Sequence, residues 1–115
     1  MRFSVLVAIL AEDMEGKASE VAKAAGAGGV TLLNGRGIGA EEKKTFFGLT
    51  YEGSQSVLLF VLERSLSLKV MKALTRELEL KENSRGVVFT LPLEHIAGIE
   101  NRQVERFQEN LKDDL

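Results

Sequence analysis

The sequence predicts an α+β domain in which one antiparallel sheet carries two helices on a single face. Short β-branched or aliphatic runs at 3–10, 30–34, 57–62 and 87–91 frame two stretches whose apolar residues recur at helical spacing. No run reaches the roughly eighteen consecutive apolar residues that a membrane-spanning helix requires. A length of 115 residues with no break in composition suits one domain with its own core, and 44% hydrophobic with 28% charged residues is ordinary for a globular chain.

Phe3 to Leu10 is the first strand, with Val5, Val7 and Ile9 alternating. A secretory leader is the competing reading of this N-terminal run. The run is short, and Ala8-Ile9-Leu10-Ala11 lacks the A-x-A cleavage spacing. From Glu15 to Ala25, residues Ala18, Val21, Ala22 and Ala25 fall on one helical face, with Asp13 placed to cap the start and Gly26 to stop the end in the left-handed conformation. Val30 to Asn34 is the second strand. Glycines 26, 28 and 29 are read as permitting positive φ at strand ends. The segment AEEKKTFFGLTYEGSQ keeps neither period and reads as a long loop.

Val57 to Leu62 is six apolar residues in a row, the pattern of a strand covered on both faces. Ser65 or Ser67 is placed to cap a second helix with Val70, Met71, Leu74 and Leu78 inside. Gly86 opens a last strand, Val87 to Leu91, and Pro92 closes it. This order gives the split β-α-β arrangement called ferredoxin-like. Its second sheet face has no helix to cover it, which predicts an oligomer. The segment 100–115 is charged but sets Val104, Phe107 and Leu111 at helical spacing, consistent with a C-terminal amphipathic helix or a frayed terminus.

A net charge of −2 offers no long-range attraction for nucleic acid or an anionic membrane. The absence of cysteine removes disulfides and thiolate catalysis and suits a reducing, cytoplasmic setting. His95 is the single histidine, so no Ser-His-Asp set or two-histidine metal site can be built within one chain, and neither catalysis nor a metal is expected. Gly35, Gly37 and Ala40 satisfy a variant of the dinucleotide fingerprint, but they follow the second strand and open no helix. Strict alternation of Gly35, Gly37 and Gly39 beside Arg36 fits exposed backbone N–H groups near an anion. Lys43 and Lys44 can face an acidic partner or solvent. Phe46, Phe47 and Tyr51 put aromatic groups into a loop that either folds back or contacts another protein.

The stretch GAGGVTLLNGRGIG is similar to the G-x-x-G-x-T-V-x-x-V-R-G-F-G segment of the P-II nitrogen-regulatory signal proteins, and GVVFTLPLE resembles their strand ending K-I-F-V-x-P-V-E. GRGIGAEEKKTFFGLTYEG looks closest to the shorter-loop relatives in that family. The resemblance spans about Phe3 to Ile99 and implies a domain over 1–99 with a mobile loop at 40–54. It further implies a homotrimer with small-molecule clefts between subunits, lined by Thr31, Gly35, Arg36, Gly37, Ile38, Gly39 and Gly86. The loop, with Lys43, Lys44, Phe46, Phe47 and Tyr51, would signal to a transporter or enzyme partner. An adenine nucleotide is the ligand class the resemblance suggests.

Departures from the family pattern weaken its phosphate grip. The glutamine of R-G-F-G-R-Q falls on Glu41, the lysine of G-D-G-K-I-F on Val87, and two arginines of the R-I-R segment on Gly98 and Glu100. Three lost cations remove charge-assisted contacts of roughly 1.5 to 3 kcal/mol each. Binding of magnesium ATP with 2-oxoglutarate of the family kind is therefore not expected. Two alternatives remain on this topology. A small anion-handling enzyme such as an acylphosphatase would face an acidic Ala11-Glu12-Asp13 turn where it needs a cation, and an RNA-binding sheet has only Phe3 and Phe60 as stacking candidates.

Overall fold

The computed structural model describes residues 2–36, 45–46, 49–50, 54–83 and 85–98, with backbone only at 45–46 and 49–50. Strand β1 (Phe3–Ala11) leads through a short helical turn to α1 (Glu15–Ala24) and then β2 (Thr31–Gly35). Two-residue strands β3 (Thr45–Phe46) and β4 (Leu49–Thr50) follow, then β5 (Gln55–Glu63), α2 (Arg64–Glu77) and β6 (Gly86–Pro92). The main sheet has the order β2-β5-β1-β6 and every pairing is antiparallel. This is the ferredoxin-like arrangement expected from the element order.

Alternation along the central strands divides the apolar residues between two faces. Leu6, Ala8 and Leu10 of β1 and Leu58, Phe60 and Leu62 of β5 point to the helix side and are buried. They pack with Ala18 and Ala22 of α1 and with Leu66, Val70, Leu74 and Leu78 of α2 to form one core. Met71, expected inside, is partly buried against that core.

Three local details differ from the sequence expectations. Asp13 does not cap α1: it lies in the turn Glu12–Met14 and its carboxylate instead accepts from the Arg85 guanidinium. Neither Ser65 nor Ser67 caps α2. The Glu63 carboxylate takes that place, accepting from the backbone N–H groups of Ser65 at 2.8 Å and Leu66 at 3.2 Å. A serine hydroxyl was the expected group because serine leads the usual N-cap preferences, but the strand runs on to Glu63 and the helix starts before either serine. The segment read as a structureless loop contains the hairpin β3-β4, with Thr45 paired to Thr50 and Phe46 to Leu49.

Both helices end in the same way. Gly26 adopts φ +118°, with its N–H donating to Lys23 and that of Ala27 to Ala22; Glu79 adopts φ +53°, with its N–H donating to Arg76 and that of Leu80 to Thr75. This is the paired hydrogen bonding of a Schellman stop. Gly28 and Gly29, expected to need positive φ, do not adopt it.

The second sheet face carries no helix among the described residues, although Val7 and Ile9 at its centre are buried. Register places Val5, Val7 and Ile9 of β1, Leu33 of β2, Val57, Leu59 and Val61 of β5, and Val87, Phe89 and Leu91 of β6 on it together. Leu33, Val61 and Leu91 are about half exposed, at 50%, 44% and 52%. The unbroken apolar third strand is thus two-faced, as its sequence requires, with a roof on one side only.

Two backbone positions yield tests. A Cβ at Gly86 would collide with Leu10 Cδ2 and stand 3.0 Å from Leu80 Cδ2, so Gly86→Ala is expected to cost about 1 to 3 kcal/mol by chemical denaturation. Glu79 holds a left-handed conformation that disfavours a Cβ, so Glu79→Gly is expected to raise stability by roughly 0.5 to 1 kcal/mol in the same measurement.

Candidate functional site

One end of the sheet gathers the C-terminal ends of β1 and β2 with the N-terminal ends of β5 and β6. Gly35 pairs with Gln55, Gln55 with Ala11, and the Ala11 N–H donates to the Arg85 carbonyl at 2.9 Å. That last bond continues the β1-β6 register, in which Leu10 pairs with Gly86. A row Gly35, Gln55, Ala11, Arg85 therefore crosses the sheet end, and Gln55 within it is buried.

The polar groups around this row are fixed by contacts distant in sequence. Ser56 is fully buried, and its hydroxyl donates to Glu15 Oε1 at 3.1 Å, tying the start of α1 to β5. Arg85 and Asp13 form an exposed ion pair that ties the same turn to the start of β6. Asn83 orders the approach to Arg85 by donating from Nδ2 to the Leu78 carbonyl at 3.0 Å and accepting at Oδ1 from the Arg85 N–H at 3.1 Å. The hydrogen bond from Arg85, with its charge, holds the Asp13 carboxyl below its ordinary pKa, and the Arg85 guanidinium is raised in return.

The predicted ligand positions divide into groups. Thr31 and Gly35 share the uncovered face, but they stand four residue steps apart along the strand, about 13 Å. Gly86 stands at the same sheet end as Gly35 on the opposite outer strand, three strand spacings or roughly 14 Å away. Its parity turns it to the helix side, where packing against Leu10 accounts for the glycine. Gly35 differs, since its φ is not positive and a Cβ would meet only Val57 Cγ2 at 3.7 Å. Nothing among the described residues demands glycine there. Arg36 is exposed at the end of β2.

Phe46 lies on β3, while Gly37, Ile38, Gly39, Lys43, Lys44, Phe47 and Tyr51 fall outside the described residues, as do Glu41 and the segment 100–115. His95 is exposed and 3.9 Å from Glu94. Phe60, a stacking candidate in the RNA-binding alternative, is buried on the helix side, and Phe3 is also buried. The sequence reading missed Arg85, Gln55 and Asn83. A basic residue directly before Gly86 was the visible signal for the first, but its partner Asp13 lies 72 positions away.

Among the described residues no three His, Asp or Glu side chains converge as metal ligands, and no helix is long and apolar enough to cross a membrane. A surface cavity of about 670 Å³ lies along α2, lined by Met71, Lys72, Thr75, Arg76, Glu79, Lys81 and Glu82. Another of about 320 Å³ lies at the far end of the sheet, lined by residues including Arg2, Phe3 and Arg64. Neither includes a predicted ligand position.

The Asp13 carboxylate is ionised with a lowered pKa in the folded state, so its contribution to stability is present above the unfolded value near 3.8 and lost as pH falls through the folded one. The stability gap between the wild type and Asp13→Asn, followed by urea denaturation, is expected at neutral pH and should close as pH drops below that window. A gap independent of pH would detach it from the carboxylate.

No protein-family model and no curated protein sequence matches the chain. Solved structures do. A PII-like protein of Thermus thermophilus with a suggested signaling role superposes with a TM-score of 0.61 at 16% identity, over 81% of this chain and 88% of that one. CPII from Thiomonas intermedia bound to ADP and bicarbonate gives 0.61 at 19% identity, over 81% and 87%. CPII bound to ADP, AMP and bicarbonate, there described as a nitrogen regulatory PII-like protein, gives 0.57 at 18%, over 86% and 98%. The chain thus carries the fold of the PII-like proteins along most of its length, with a sequence far diverged from theirs.

Proposed function

We propose that this chain is a homotrimeric regulatory protein of the PII-like type, which binds a small anionic or nucleotide ligand in clefts between subunits and reports it to a protein partner through its 40–54 loop. The uncovered apolar face carries this reading. A Val or Leu side chain gains about 1.5 to 3 kcal/mol on full burial, so the eight partly exposed residues of that face leave on the order of 5 kcal/mol per chain unrealised. Sister copies supply the missing wall, as closed assemblies of one chain commonly do.

The placement of the candidate residues supports clefts at those junctions. Thr31 and Gly35 lie too far apart in one chain to hold one phosphate or carboxylate together, and both occupy the uncovered face. A neighbouring copy packed there brings a second set of such positions within reach. Non-catalytic signalling is supported by the regulatory descriptions of the structural neighbours.

The ligand is something other than magnesium ATP with 2-oxoglutarate, because Val87, Gly98 and Glu100 supply no cation where the family has lysine and arginines. CPII has been seen with ADP, AMP and bicarbonate, which makes ADP or AMP with a small oxyanion the first ligands to try. Light scattering should find three chains per particle, and ADP with bicarbonate should raise the melting temperature. Val61→Glu, which puts a charge on the uncovered face at a site open to solvent in one chain, should give folded monomers that no longer respond to the ligand. Wild-type protein running as one chain per particle sinks the proposal.

A further inference from the structure

The N-terminal end of β1 holds a like-charge pair that the fold does not require. The Arg64 N–H donates to the Arg2 carbonyl at 2.9 Å, which extends the β1-β5 ladder one residue beyond the pairing of Phe3 with Glu63. Arg2 and Arg64 therefore stand directly opposite one another, with Cα atoms about 5.5 Å apart. Like charges so placed are destabilising. Arg64 is also the first residue of α2, whose first turn contains no acid, so its charge lies against the positive end of the helix dipole. The nearby acids do not relieve it. Glu63 is buried and its carboxylate accepts from the Ser65 and Leu66 N–H groups, while the Glu94 side chain is 91% exposed and stands 3.9 Å from His95. Among the described residues neither guanidinium is paired with a carboxylate.

Both arginines line the cavity of about 320 Å³ where the starts of β1 and α2 meet the end of β6. Pro92, Leu93 and Ile96 give it an apolar wall, and Ile96 is 41% exposed. The Leu93 N–H fixes that wall by donating to the Phe3 carbonyl at 2.9 Å. The volume is at the low end for ligand pockets, which suits one small molecule. Guanidinium groups offer paired donors matched to a carboxylate or phosphate, and the aliphatic wall beside them gains from covering by hydrocarbon.

We propose that this cavity is a second ligand site, for a small amphipathic organic anion whose carboxylate or phosphate lies between Arg2 and Arg64 and whose apolar body covers Pro92, Leu93 and Ile96. The anion cancels the repulsion between the arginines and joins the first residues of β1 and α2 to the segment that follows β6. The α2 terminus is not itself the site, since Glu63 already accepts from its N–H groups. The cavity stands at the opposite end of the sheet from Gly35 and Gln55, and it uses none of the residues assigned above to the clefts between subunits.

Titration of the wild type, Arg2→Gln and Arg64→Gln with hexanoate, hexyl phosphate, hexanamide and acetate, followed by amide chemical shifts, tests this. Hexanoate or hexyl phosphate should move the Phe3, Leu93 and Ile96 signals saturably, the tighter of the two identifying the head group. Hexanamide keeps the body without the charge and acetate the charge without the body, so each should bind about tenfold more weakly or worse. Each substitution should weaken the anion about tenfold. Without ligand, each should leave the urea midpoint unchanged or raised, because it removes one of two opposed charges. Anion binding unchanged in both variants, hexanamide binding as tightly as hexanoate, or no saturable shift with either anion overturns the inference. Shifts confined to Gln55 and its neighbours overturn it by moving the anion to the other sheet end, and a lowered midpoint in both variants does so by making the arginines structural. None of these results bears on the number of chains per particle, which tests the proposed function separately.

Discussion

A sheet that is apolar on both faces, served among the described residues by only one layer of helices, is the constraint from which the rest of this molecule follows. Strand β1 states it most simply. Leu6, Ala8 and Leu10 are sealed under α1 and α2, while Val5, Val7 and Ile9 face the side without helices. Strand β5 repeats the division with Leu58, Phe60 and Leu62 against Val57, Leu59 and Val61. A pleated strand cannot rotate its odd positions inward without exposing its even ones, so register locks both sets in place. The chain resolves one half of this demand internally, and the other half is a reason for copies to meet.

Where the sequence was readable, one physical signal dominated. Helical spacing at Val70, Met71, Leu74 and Leu78 marked the second helix, and the strands β1, β5 and β6 announced themselves through β-branched or aliphatic runs. Details set by competition between neighbours were not readable. Ser65 and Ser67 are better capping residues than Glu63 in isolation, yet only Glu63 stands at the junction where β5 becomes α2. Gly86 looked like a ligand residue, and its contact with Leu10 depends on a pairing between strands 76 residues apart. The hairpin of β3 and β4 lacks periodicity because two residues are too short to show any.

The candidate site has the same character. Gly35, Arg36 and Thr31 were visible as a glycine-rich strand end with a nearby hydroxyl and cation. Their separation along β2 was not, since it follows from the extended backbone and not from residue type. Arg85, Asn83 and Asp13 needed the fold to bring them together. The turn before β6 is ordered by an asparagine serving two backbone groups, as asparagine commonly does in turns.

Strand β2 has a further consequence. It is the outer strand of the sheet, and Leu32 on one side and Leu33 on the other are both about half exposed, at 46% and 50%. A ladder without a partner among the described residues, flanked by greasy side chains, is a template for indiscriminate addition of extended peptide. Newly made chains that expose this edge are therefore prone to stick to one another. Abundance and the speed of folding, as much as intrinsic stability, would govern how much usable protein a cell recovers.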